Sequence, residues 1–343
     1  VALGTLSVLL MGALVLAYVY RDELAPSPVE RYRDYVPAGA QSVAVLNVER
    51  LRASVLYKPI EAATRRFPSD GLTAELRVLA IGPGDVSEAF GTSTEDGTDL
   101  FVLRTHRDVP LSELLDASVS AAVEVREGIQ CMAVLDGSVA VHVAKTGPAL
   151  FCLSLSQESL GAALRRVSGK DRSAVVHPLR RILHRVRRYD HCYVSVLGEN
   201  AVWFSHPPDG LAAIGLAATL GSTVRGEVAL EFAEAGQAVD YARKLEGDLE
   251  ERLKALEQAI TSLAESERTA LDATRELLSN VRVSRQGVLL CAESSIAAEK
   301  VHQVAQLPPK GLLNAAEAMG LYVPEFRLSQ RETGRRPTIR RPE

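Results

Sequence analysis

The sequence predicts an α+β protein: an N-terminal transmembrane helix followed by two sheet-containing halves, largely antiparallel sheets with packed helices. Three observations carry that expectation. Residues 1–20 are a charge-free apolar run. Between residues 100 and 155 short apolar runs are separated by Gly turns, as in a strand meander. Around residues 179–186 and 235–263 the apolar spacing becomes helical.

The run VALGTLSVLLMGALVLAYVY holds no charged residue and no proline. As a helix it would reach roughly 30 Å, the thickness of a bilayer's hydrocarbon core. Tyr18 and Tyr20 end it where amphipathic rings favour headgroups, and Arg21-Asp22-Glu23 returns the chain to water. Two readings stand: an uncleaved anchor, or a signal cut after Val15-Leu16-Ala17. Length favours the anchor. It makes the lipid bilayer a partner through residues 1–20 and puts the body on the periplasmic or extracytoplasmic side. Ala13 and Ala17 are a small-xxx-small pair of the kind that packs membrane helices.

With 47% apolar and 24% charged residues, the chain has the composition of a folded globular protein. A net charge of −4 creates no field for polyanions, and a single Trp leaves few stacking platforms, so no nucleic acid is expected. The four cysteines, Cys131, Cys152, Cys192 and Cys291, form no CxxC pair. Outside the cytoplasm they allow three disulfide connectivities. Their place in apolar, strand-like runs favours free buried thiols.

Residues 21–40, with Pro26, Pro28 and Pro37, read as a semi-rigid stalk. The first α+β half, 41–172, opens with a central strand, Ser42–Val48. A helix follows from Glu49 to about Arg66, then a shorter one over Leu72–Leu79, stopped at Ile81-Gly82-Pro83-Gly84. Leu100–Thr105 is a strand, and Pro110 opens a helix to about Ser118. Ala122–Val125, Ile129–Leu135, Ser138–Val143 and Leu150–Leu155 form a meander turning at Glu127-Gly128 and Asp136-Gly137. Ser156 begins a helix to Val167.

The second half, 173–306, begins with a basic helix over 173–191, then a strand, Tyr193–Leu197. After His206-Pro207-Pro208-Asp209-Gly210 comes a hairpin of Ala213–Leu220 with Thr223–Phe232. Glu227 and Glu231 alternate there with Val228, Leu230 and Phe232, which predicts one wet face. Leu249, Leu253, Leu256, Ile260 and Leu263 form a seam on a helix over 235–263. Its partner, about Arg268–Ser279, makes an αα-hairpin packed on the sheet. A strand pair turning at Gln286-Gly287 ends at Cys291, and Ser295–Val304 is a helix. Residues 307–343 are an extension with a basic, disordered tail. The stretch from Leu150 to Val167 parallels that from Leu289 to Val304: an apolar strand with Cys, a Ser-rich cap and a helix. That parallel suggests a diverged internal repeat.

Val36-Pro37-Ala38-Gly39-Ala40-Gln41-Ser42-Val43 through Asn47-Val48-Glu49-Arg50-Leu51 follows the pattern VPxxAxxVxxxNVxxL. With the element layout over 36–305, it resembles a group of uncharacterised exported proteins of planctomycete-type bacteria. The resemblance implies an exported α+β body and no activity.

His177, His184 and His191 recur every seven residues, but neighbouring arginines repel a cation, so they read as solvated surface histidines. Arg180, Arg181, Arg185, Arg187 and Arg188 share the polar face of the basic helix. They are the candidate contact for anionic lipid, against an ordinary solvated face or pairing with acids of the other half. Thr92–Asp99 lacks the Asp and Glu of a calcium loop and reads as a polar turn. GxSxG, HExxH, P-loop and GxGxxG patterns are absent, so no catalytic, cofactor-binding or metal residue is assigned and no cofactor is expected. The expected function is a non-catalytic, membrane-anchored envelope protein acting as an interaction or scaffold module, its partner a protein or anionic lipid. The competing expectation is a binder of lipid or another apolar ligand between sheet and helices. A cavity above about 300 Å³ lined by Leu and Val would mark it.

Overall fold

A computed structural model describes residues 28–37, 39–54, 57–58, 84–94, 99–113, 121–136, 139–171, 179–186, 188–196, 208–262 and 265–305. The apolar run 1–20, the helix expected over 72–79, His177, Arg187 and the tail lie outside them. Among the described residues no helix is long and apolar enough to cross a membrane.

Pro28–Arg31 (α1) and the 3-10 turn Arg33–Tyr35 lead into Ala40–Asn47 (β1). Asn47 caps Val48–Ala53 (α2), its side chain accepting from the Arg50 N–H. Then come Val86–Thr94 (β2), Asp99–Thr105 (β3), a 3-10 turn at Leu111–Glu113, and the meander Ala121–Arg126 (β4), Ile129–Asp136 (β5), Val139–Gly147 (β6) and Leu150–Ser154 (β7). Ser156 caps Gln157–Val167 (α3). Leu179–Val186 (α4), His191–Val196 (β8), Leu211–Leu220 (β9) and Thr223–Phe232 (β10) follow. The αα-hairpin is Ala235–Ser262 (α5) with Glu265–Ser279 (α6). Arg282–Gln286 (β11), Leu289–Ala297 (β12) and Ala298–Ala305 (α7) complete the body.

The two halves do not build separate sheets. All twelve strands lie in one antiparallel sheet, ordered β11-β12-β10-β9-β8-β1-β2-β3-β7-β6-β5-β4. The join is the β1–β8 pair, with Val43 opposite Val194 and Val45 opposite Cys192. Separate sheets would each have left a long apolar strand with an open edge, which pairing removes.

Within that sheet the two halves share a strand order. The order β1-β2-β3-β7-β6 in the first half matches β8-β9-β10-β12-β11 in the second. Cys152 of β7 sits opposite Val102, and Cys291 of β12 opposite Ala229, so the aligned cysteines hold like places in their ladders. A helix follows each, α3 and α7, as the sequence parallel expects. The first half adds the β4–β5 hairpin at its end; the second adds α5 and α6 between β10 and β11.

One face of the sheet carries the larger core. Leu160 and Leu164 of α3, and Leu179, Ile182, Leu183 and Val186 of α4, pack there on Val43, Phe90, Val102, Val194 and Ala229. Each fully buried aliphatic contributes about 1.5–3 kcal/mol. The stretch expected as stalk joins this core: Tyr32 is 0% exposed and stacks on Phe90 with centroids 5.0 Å apart. Two aromatic rings and Val36 make that segment too apolar to remain a spacer. The opposite face has two smaller cores. One gathers Val48, Leu103, Leu111, Met132, Val134 and Phe151; the other seats α5, through Ala238, Tyr241 and Leu245, on Ile214, Leu230 and Leu290.

Further expectations shift. β2 was expected in part as a polar turn, but Thr92–Thr94 end a strand whose Glu88, Phe90 and Thr92 all point into the core. The basic helix is described as eight residues, Leu179–Val186. β12 runs on to Ala297, six residues past Cys291, because β10 pairs with it along that whole length.

Candidate functional site

Among the described candidate arginines, three are engaged internally. The face of β10 expected to be wet holds Glu227 and Glu231, each 2% exposed, because α4 lies over it. Arg181 reaches Glu231 at 3.1 Å, and Arg185 binds Glu227 through Nε. Arg188 binds Glu227 at 2.8 Å and Glu293 at 2.9 Å, and Arg225 also holds Glu293. The Tyr189 hydroxyl donates to Glu227 at 2.6 Å, with the Arg188 and Arg225 guanidiniums over its ring. All the acids belong to the same half as the helix. Arg180 is exposed.

Burial works against charge on Glu227, but hydrogen bonds from Tyr189, Arg185 and Arg188 outweigh it and hold the carboxyl below its ordinary range. Burial, reinforced by that same carboxylate, pushes the Tyr189 phenol up to about 12. The first half repeats the chemistry. Tyr32 donates to Glu88 at 2.5 Å, Arg31 pairs with it at 2.9 Å, and Arg104, opposite on β3, stands at 3.7 Å. Burial raises the Tyr32 phenol as well. An Arg-Tyr dipeptide serves a buried glutamate in each half, Arg31-Tyr32 and Arg188-Tyr189.

The four cysteines are buried free thiols. Burial pushes Cys192 up to about 12 and Cys291 up to about 11, so both are protonated at neutral pH. His184 is exposed as expected, but His191 is buried at the start of β8 rather than solvated beyond a helix. Its Nδ1 accepts from the Asn47 N–H at 3.2 Å, and burial lowers its pKa. Among the described residues no group of three or more His, Cys, Asp or Glu is placed to hold a metal.

The surface feature that sequence reasoning missed is the end of the sheet. The β4–β5 hairpin turns through Glu127 and Gly128 at φ 52° and 78°, both left-handed, as a two-residue type I′ turn requires. Such a turn makes Arg126 and Ile129 the first hydrogen-bonded pair, so Glu124 also bonds inward to β5. The N–H and C=O groups of Val123 and Val125 therefore point away from the sheet. Among the described residues no strand lies beyond β4. The Val123 and Val125 side chains are 59% and 68% exposed, on the face of Met132 and Gln130.

Beside Val123 lies a cleft of about 390 Å³ lined by Asp108, Pro110, Leu111, Ser112, Gln130 and Lys145. Lys145 pairs with Asp108 at 2.5 Å and donates to the Val109 carbonyl. The volume passes the threshold for an apolar-ligand site, but the lining is mixed and the cleft sits at the sheet's end, not beneath a helical layer. No protein-family model and no curated protein matches the chain. Two solved structures resemble it: crystal form III of TP0453, at 12% identity and TM-score 0.43, covers 80% of this chain and 97% of that one. Crystal form IV of TP0453, at 11% identity and TM-score 0.44, covers 84% and 100%. So slight a likeness says nothing about function.

Proposed function

We propose that the chain is a non-catalytic, membrane-tethered module of the cell envelope that works by binding other macromolecules. The observation that supports this most is the end of the sheet at β4, where outward backbone groups and two exposed valines lie beside an open cleft. Bare apolar edges invite strand pairing, and proteins that do not use them cover or charge them. The polar clusters support the same reading. Glu227 is saturated by two guanidiniums and a phenol and held ionised, the reverse of a general base tuned toward neutrality.

Residues 1–20 supply the tether and place the body on the extracytoplasmic side. The body's core begins at Tyr32, and from Tyr20 to Pro28 an extended chain reaches no more than about 30 Å. The sheet would thus be held close to the bilayer. The test is purification of the full chain from its native membranes after an alkaline carbonate wash. The expected result is retention in the membrane and recovery in an assembly larger than one chain, reduced to a single chain by Val125→Lys. Loss to the wash, or a lone chain whether or not Val125 is changed, overturns the proposal.

A further inference from the structure

We infer that the partner at β4 is a second copy of this chain, added antiparallel so that two sheets become one. The inference rests on the interaction reading above and names its partner. It stands on the self-complementarity of the strand. Val123 and Val125 present their backbone groups outward, with Ala121 next in the same phase. Placing Val123 opposite Val123 of the second copy puts Ala121 and Val125 opposite each other on both sides. All three outward residues then exchange both backbone bonds. On the face of the cleft, the two Val123 side chains meet, and each Val125 falls in register with position 121 of the other copy. The exposed apolar surface of each strand is covered by the same surface of the other.

The charges agree with this register. Ala122 falls opposite Glu124, and no like charges are directly opposed. Each Glu124 is already neutralised on its own strand by Arg126, at 2.8 Å. Sliding the register to place Glu124 against Glu124 would oppose two carboxylates. Centring it on Val125 would run Val123 against Glu127, where the strand has turned to φ 52°. The Val123 register therefore has the longest overlap without a charge conflict.

A pair of five-residue strands buries less than the roughly 1,000 Å² usual for a stable interface. The pairing should be weak in dilute solution and strengthened where both chains share one bilayer, which raises their effective concentration.

The experiment uses full-length chain carrying Val123→Cys, in detergent at rising concentration and in phosphatidylcholine–phosphatidylglycerol vesicles, with a short bismaleimide. The four native thiols are buried, so the wild-type chain supplies the background. The expected result is a cross-linked dimer that grows with concentration and is several-fold more complete in vesicles. Adding Val125→Pro removes an outward N–H without removing a bond to β5, and should abolish the dimer at an unchanged melting temperature. Should that variant fail to fold, Val125→Lys takes its place. Monomer at every concentration in both media overturns the inference, as does undiminished cross-linking in the folded Pro or Lys variant. Protein that washes off vesicles yet cross-links in detergent sinks the tethered reading and leaves the pairing standing.

Discussion

β4 and β11 are the two ends of one sheet, each the outer strand of a two-residue hairpin, and their outward positions carry opposite chemistry. At β4 these positions are Val123 and Val125, both bare. At β11 the corresponding positions are Val283 and Arg285. Val283 is half-buried against the core beneath α5, and Arg285 is an exposed charge. Charge and a covering helix are the ordinary ways of closing an edge. The second half has both, and its basic helix α4 is pinned to the sheet by two carboxylates, Glu227 and Glu231. The first half ends in a hairpin that nothing described covers. The contrast teaches that the two halves share a strand order and differ at their ends.

The comparison is broken most severely by deleting a buried carboxylate. Glu227→Ala strands Arg185, Arg188 and the Tyr189 hydroxyl, and should cost about 3 kcal/mol in urea unfolding. Glu88→Ala should cost less, because Arg104 stands off at 3.7 Å and leaves Glu88 one close guanidinium, Arg31, where Glu227 has two. Equal losses would mean that the two clusters bear equal weight. The next effect is steric. A Cβ on Gly215 would lie 2.2 Å from the Cγ2 methyl of Ile182 on α4, so Gly215→Ala should cost about 1–3 kcal/mol, less in an Ile182→Ala background where that methyl is gone. On Gly91 the nearest atoms are the Phe101 ring at 3.3 Å, and Gly91→Ala should cost less than Gly215→Ala.

Edge changes should barely move stability. Arg285→Val ought to stay within about 0.5 kcal/mol of wild type, yet open a second sticky edge that sedimentation reads as higher oligomers. Smallest is a pH effect at the junction of the halves. His191 accepts a hydrogen bond through Nδ1 and has its pKa lowered by burial, so the unfolded chain binds its proton more readily. Its contribution to stability is complete above about pH 6.5 and is lost as pH falls through that value toward the folded pKa. His191→Gln should flatten the melting temperature between about pH 7.5 and 5.5 relative to wild type.

The meander, the α5–α6 hairpin and the parallel between Leu150–Val167 and Leu289–Val304 were legible because their apolar spacing and Gly turns agree with the final packing. β2 was not, since Glu88 and Thr92 take inward places where a strand pattern expects apolar residues. Glu227 and Glu231 misled for the same reason: alternation shows which residues share a face, not whether a helix covers it. The arginines of α4 and those carboxylates are each legible, but their pairing depends on laying the helix across β10, a tertiary fact with no local signal. The open edge was hidden because Val123 and Val125 look the same in an edge strand as in a central one. Only the sheet order separates the two cases.

Amide hydrogen exchange, residue by residue, tests the central claim most directly when full-length chain sparse in vesicles is compared with chain at high density. The account predicts that the Val123 and Val125 amides exchange freely when sparse and become protected when crowded, while Arg285 exchanges alike in both. Equal, rapid exchange of Val123 and Val125 at both densities would contradict it.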